Sequence, residues 1–176
     1  MDLARLEGFV VPSGRPDRDH FNLDYHVELT PELEEVVREI AYHYWLWTGE
    51  DLTVISGARD SQGQAEAMFL NWKHGQNPFA VYRDTEQLEE ILDAYNEGFN
   101  SGESDEETIK RMAGIIEESR RRGICISSHL AGRAFDVSYR SLNTDQRAAF
   151  REAVKEVLGD LNSAMPSEHD RLHVQM

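Results

Sequence analysis

The stretch SSHLAGRAFDVS, residues 127–138, places His129 and Asp136 seven residues apart across a glycine-containing turn, and RLHVQM, residues 171–176, adds His173. Two imidazoles and a carboxylate are donor types that hold a catalytic zinc ion, which takes three protein ligands and keeps a fourth position for water. Strand alternation would put such donors on one side. Asp136 and Ser138 share a face opposite Phe135 and Val137, and His173 and Arg171 share a face opposite Leu172 and Val174. The sequence therefore predicts a strand ICISS (124–128) ending at His129, a turn HLAG, and a strand AFDVSY (134–139) carrying Asp136. A last strand supplies His173. Four further histidines, His20, His26, His43 and His74, have no acidic or cysteine partner at ligand spacing and read as structural or surface groups. Cys125 is the single cysteine, so neither an internal disulfide nor a CxxC metal site exists. In an apolar strand it reads as a buried core thiol.

Several helices must hold these strands in place. TPELEEVVREIAYHYWLWTG reads as a helix capped by Thr30, with Pro31 in its first turn and Gly49 as its stop. Its core stripe is Leu33, Val36, Val37, Ile40, Ala41 and Tyr44. LTVIS (52–56) is a short buried strand, and a second helix starts near Asp60 or Ser61 and closes at Gly75. Residues 76–122 look different: two acidic amphipathic helices, about Thr85–Phe99 and Asp105–Arg122, surround the loop NSGES, and Ser104 with Glu107 forms a capping box. A helix from Thr144 to Leu158 precedes the final strand. The expected fold is α+β, a small antiparallel sheet carrying the metal site and flanked by helices. The chain reads as one domain, 1–176, with an irregular arm over residues 1–29 and a helical insertion over 76–122.

Composition narrows the function classes. The 176 residues are 40% hydrophobic and 29% charged, as in an ordinary globular domain. No basic start followed by an apolar run marks a signal peptide, and no segment approaches a membrane span, so synthesis in the cytoplasm without membrane insertion is expected. Eighteen Lys and Arg against 33 Asp and Glu give a net charge of −15, which argues against a general nucleic-acid binder.

The motifs carry a family resemblance. SSHLAGRAFDV fits Ser-x-His-x-x-Gly-x-Ala-x-Asp at Ser127, His129, Gly132, Ala134 and Asp136. DRLHVQ fits Asp/Glu-x-x-His with Asp170 and His173, and ISGARDSQGQ is similar to an upstream Ser-Gly-x-Arg element followed by a glutamine. Over roughly residues 30–73 and 123–176 the chain resembles the zinc D-alanyl-D-alanine carboxypeptidase and dipeptidase family, which includes phage L-alanyl-D-glutamate endopeptidases and shares its fold with the hedgehog signalling domain. Residues 76–122 match none of these motifs.

The resemblance implies that His129, Asp136 and His173 bind one zinc ion, that Asp170 is the general base and that Arg59 sits over the substrate carbonyl. Glu168, two residues before Asp170, is the alternative base. His169 reads as a transition-state or outer-shell donor or as a surface residue. Ser127 orients the site through hydrogen bonds, and Gln64 either bonds substrate or lies on a helix face. The implied reaction is hydrolysis of an amide bond beside a D-amino acid in peptidoglycan stem peptides, as in a phage endolysin or virion-associated peptidase, reaching the wall through a separately made pore or within a virion. Two alternatives stand beside it: a cytoplasmic D-alanyl-D-alanine dipeptidase, and a non-enzymatic zinc-binding interaction protein on the same scaffold. A binding protein could dispense with the base or the arginine, whereas candidates for both, Asp170 and Arg59, are present.

Overall fold

The computed structural model describes residues 18–82, 86–160, 165–166 and 171–176. In chain order these form β1 (Phe21–Leu23), α1 (Pro31–Thr48), β2 (Leu52–Ser56), α2 (Ser61–Lys73), α3 (Pro78–Val81) and α4 (Glu86–Ser101). There follow α5 (Asp105–Arg121), β3 (Ala134–Ser138), α6 (Thr144–Leu158), β4 (Met165–Pro166) and β5 (Arg171–Gln175). The chain divides into two compact units, Met1–Ser56 with Phe135–Met176, and Gly57–Ala134. Among the described residues no helix is long and apolar enough to cross a membrane.

The first unit is a five-stranded sheet in the order β1-β2-β3-β5-β4, with α1 and α6 packed together on it. Helix α1 starts where the sequence places it: Thr30 Oγ1 accepts a hydrogen bond from Leu33 N at 3.2 Å, and Pro31 occupies a position whose N–H would be orphaned anyway. It stops at Gly49, which takes φ +74°, a conformation that costs a residue with a Cβ. The stripe Leu33, Val37, Ile40, Ala41 and Tyr44 is buried against Ala149, Phe150, Ala153 and Val154 of α6 and Leu52, Val54, Phe135, Val137, Leu172 and Val174 of the sheet. Tyr44 and Phe150 meet edge to face at 6.5 Å.

The α+β class is as expected, and the antiparallel pairing holds for β2–β3 and β4–β5. The sheet is nonetheless mixed. β1 rises from the segment expected to be irregular and pairs parallel with β2, Phe21 opposite Leu52. A larger departure concerns residues 124–128, which are not a strand. β3 already has β2 and β5 as neighbours, so no edge is left for a hairpin partner. Instead α5 is followed by Arg122 as its cap and by Gly123 with φ +80°, and the chain runs on as a loop. Its apolar side chains divide: Ile124 is 42% exposed, whereas Ile126 packs on the helical core. Cys125 is exposed with the rest of the loop rather than buried.

The second unit is helical. α5 packs against both α2 and α4, around a core of Ala65, Met68, Phe69, Trp72, Leu88, Ile91, Met112, Ile116 and Leu130. The expected capping box is present: Ser104 Oγ accepts from Glu107 N, and the Glu107 carboxylate accepts from Ser104 N at 3.1 Å. The hydrogen bonds from Ser104 hold that carboxyl below the usual range. α4 lies tightly against α5 at Gly98, where an added Cβ would meet Thr108 Cγ2 at 2.7 Å and Thr108 Cβ at 2.9 Å. Gly114 of α5 has nothing within 4 Å of the same point. Gly98→Ala should therefore destabilise the protein by about 1–3 kcal/mol through overpacking. Gly114→Ala should stabilise it by about 0.5–1 kcal/mol through the lower chain entropy of alanine. Urea unfolding followed by circular dichroism distinguishes the two, and equal effects would contradict the close α4–α5 contact.

Candidate metal centre

Asp136 belongs to β3, where alternation sends Phe135 and Val137 into the first unit's core and turns Asp136 the other way. It is nevertheless 2% exposed. A buried carboxylate is tolerated only with partners, and β5, the next strand, provides two. His173 Nδ1 lies 2.9 Å from Asp136 Oδ1, and Arg171 Nη1 donates to Asp136 Oδ2 at 3.3 Å. Leu172 and Val174, between and beyond them, are core residues, so the strand's apolar face fixes where the two polar side chains point. Both are about one-third exposed, 32% for the His173 side chain and 33% for that of Arg171. The carboxylate therefore lies beneath a surface that solvent reaches.

His129 stands on a turn before β3, not at the end of a strand. The turn is tied by Ala131 N to Ser127 O, Gly132 N to His129 O and Arg133 N to Ser128 O, and Gly132 takes φ +66°. Ser127 Oγ accepts from His129 N at 3.3 Å. The His129 ring is buried, with Nδ1 2.7 Å from Gly57 O. A carbonyl only accepts, so Nδ1 carries the hydrogen and the lone pair of the neutral ring sits on Nε2. Histidine metal ligands are commonly oriented in this way, by donating the other ring nitrogen to a carbonyl. His129, Asp136 and His173 are the described residues whose donor types a metal ion could take. Two imidazoles and one carboxylate are too few and too nitrogen-rich for the all-oxygen shells of calcium or magnesium, and they suit zinc.

Arg59 is held from two sides. Its backbone N donates to His129 O at 3.0 Å, and its Nη1 approaches Gln64 Oε1 at 3.4 Å. Gln64 is fully buried on α2, and its Nε2 donates to Tyr82 Oη at 3.2 Å. The guanidinium has no acceptor, so the amide oxygen must face Arg59 and the amide nitrogen must face Tyr82. Gln64 thus bridges Arg59 and Tyr82 from a buried position on α2. Tyr82 comes from the block that matched no motif, and its role had no local sequence signal. Arg171 did have one, since it shares a strand face with His173.

Glu168, His169 and Asp170, the residues from which the base was expected, lie outside the described residues. The remaining histidines take no part in the three-residue group. His20 is buried, 3.3 Å from Asp51 Oδ1 and stacked on Trp45 at 4.2 Å between ring centres. His74 approaches Leu70 O at 2.7 Å at the end of α2. Comparison of the chain with protein-family models, curated proteins and solved structures gives no match in any of the three.

Gln64→Met keeps the volume and removes both hydrogen bonds from a fully buried position. It should cost about 1–3 kcal/mol in denaturant unfolding. Tyr82→Phe should cost less, about 1 kcal/mol, because the bond between Gln64 and Arg59 is kept. A silent Gln64→Met would mean that the amide does not bridge Arg59 and Tyr82.

Proposed function

We propose that the chain is a zinc peptidase that hydrolyses an amide bond beside a D-amino acid in the peptide stems of bacterial cell wall. The observation that carries this is the buried Asp136 carboxylate facing His173 Nδ1, with His129 fixed in the tautomer that presents Nε2. His129, Asp136 and His173 would hold the ion, which supplies a Lewis acid and lowers the pKa of a bound water towards about 7. The resemblance of the motifs to the D-alanyl-D-alanine carboxypeptidase and L-alanyl-D-glutamate endopeptidase family supplies the substrate class.

The chain's own groups divide the remaining work. Asp170 takes the proton of the attacking water and delivers it to the leaving amine, since a carboxylate next to the nucleophile can serve as base and then as acid. Arg59 donates to the oxygen on which negative charge grows, and its guanidinium stays protonated at any working pH. The bond from Gln64 reduces the freedom Arg59 would otherwise lose at that moment. Ser127 holds the backbone of His129 and is not a nucleophile in this scheme.

The decisive experiment incubates the zinc-loaded protein with purified peptidoglycan and, separately, with D-alanyl-D-alanine, and identifies products by mass. Release of stem-peptide fragments supports the wall enzyme, and cleavage of the dipeptide alone supports the dipeptidase. No cleavage of either, with zinc bound, supports a binding protein. Chelation should abolish activity and lower the melting temperature, because metal-binding free energy adds to folding free energy. Asp170→Ala should keep zinc and lose about 10²–10⁴-fold in turnover. His173→Ala should lose both. If Glu168→Ala gives the large loss and Asp170→Ala is silent, the base is Glu168.

A further inference from the structure

The two oxygens of Asp136 are shared out between different partners. Oδ1 faces His173 Nδ1 at 2.9 Å, and Oδ2 accepts from Arg171 Nη1 at 3.3 Å. Arg171 Nε is buried without a hydrogen-bond partner among the described residues. Its position is set by β5, where Leu172 and Val174 are anchored in the core and Arg171 emerges on the same side as His173. Placing a guanidinium this close to two prospective ligands of a dication is electrostatically unfavourable for metal binding. Plain support of the site would be better served by a neutral donor, which asks what the charge achieves.

We propose that Arg171 is a positioning residue that occupies Asp136 Oδ2, so that Asp136 binds zinc through Oδ1 alone and one coordination position stays open. This rests on the zinc reading above. A carboxylate can ligate through one oxygen or through both. With two histidines, a one-oxygen aspartate gives three protein donors and leaves the fourth tetrahedral position for water or substrate. A two-oxygen aspartate would fill that position and turn a catalytic centre into a closed one. A charge-assisted hydrogen bond to Oδ2 opposes that rotation more strongly than a neutral donor would. The lysine variant, which keeps charge and one donor, should preserve the effect in part.

The test replaces zinc by cobalt(II), whose visible absorption is intense when four-coordinate and weakens as coordination number rises. The wild-type protein should show the intense bands. Arg171→Met should bind cobalt at least as tightly, because a positive charge has gone, yet show weakened bands and about 10–100-fold lower turnover. Arg171→Lys should lie between the two. A merely structural arginine would loosen the metal and leave the spectrum of the bound fraction unchanged, and that result would overturn the proposal. So would Arg171→Met with wild-type bands and tight cobalt. A wild-type protein that takes up neither cobalt nor zinc would overturn the metal reading itself and this inference with it. If Arg171→Met does not fold, X-ray absorption of the zinc-loaded wild-type protein decides: four light-atom neighbours are expected, and five or more would overturn the proposal.

Discussion

The structure turns on one buried charge. Asp136 sits in the middle strand of five and is almost wholly removed from water. Ionised carboxylates are not left bare in such places, because desolvation costs several kcal/mol unless opposite charge and hydrogen bonds return it. The return comes from β5 through His173 and Arg171. That arrangement needs β5 beside β3, and it needs Leu172 and Val174 pressed into the same core as Phe135 and Val137. The apolar faces of two short strands therefore aim three polar side chains. The pairing of α1 with α6 matters to the site because it supplies the surface those apolar faces bury against.

The arginine element is placed by a different core. Gln64 stands on the face of α2 that also carries Ala65, Met68 and Trp72, and those side chains lock the helix into the helical unit. Asp60 Oδ1 caps α2 by accepting from Gly63 N at 2.7 Å, which fixes the entry angle of the chain just after Arg59. Two cross-links then tie this entry to the turn before β3: His129 Nδ1 to Gly57 O, and Arg59 N to His129 O. One histidine ring and one arginine backbone are thus set by the same short connection. Neither can shift without the other.

What the sequence revealed, and what it hid, follows from the range of the interactions. The caps at Thr30 and Ser104 were legible because each is made with a residue three positions away. The alternation of β3 and β5 was legible for the same reason. ICISS misled because a short β-branched run looks alike whether it joins a sheet or lies on a helical core, and the neighbours that exclude it from β3 come from distant parts of the chain. Cys125 followed that misreading to the wrong side of the surface. β1 and β4 span three and two residues, too few for a periodic signal. Gln64 could not be assigned a role because its partner Tyr82 lies 18 positions on, in a block without a recognisable motif.

Charge sets the terms on which any substrate reaches the site. The net charge is −15, and several basic side chains are already spent on local pairs. Arg38 engages Asp19, Glu34 and Glu35, and Arg111 engages Glu97 and Glu103. The far field is therefore that of a polyanion, which draws cations inward and repels an anionic polymer. At physiological ionic strength that field decays over about 8 Å. An anionic group that comes within this distance meets a different surface, on which the Arg171 side chain is one-third exposed beside the Asp136 carboxylate. Long-range steering opposes approach of a polyanion, whereas short-range contacts with partly buried groups are hardly screened. Binding of any anionic polymer here would have to come from short-range contacts with a few fixed donors rather than from long-range attraction.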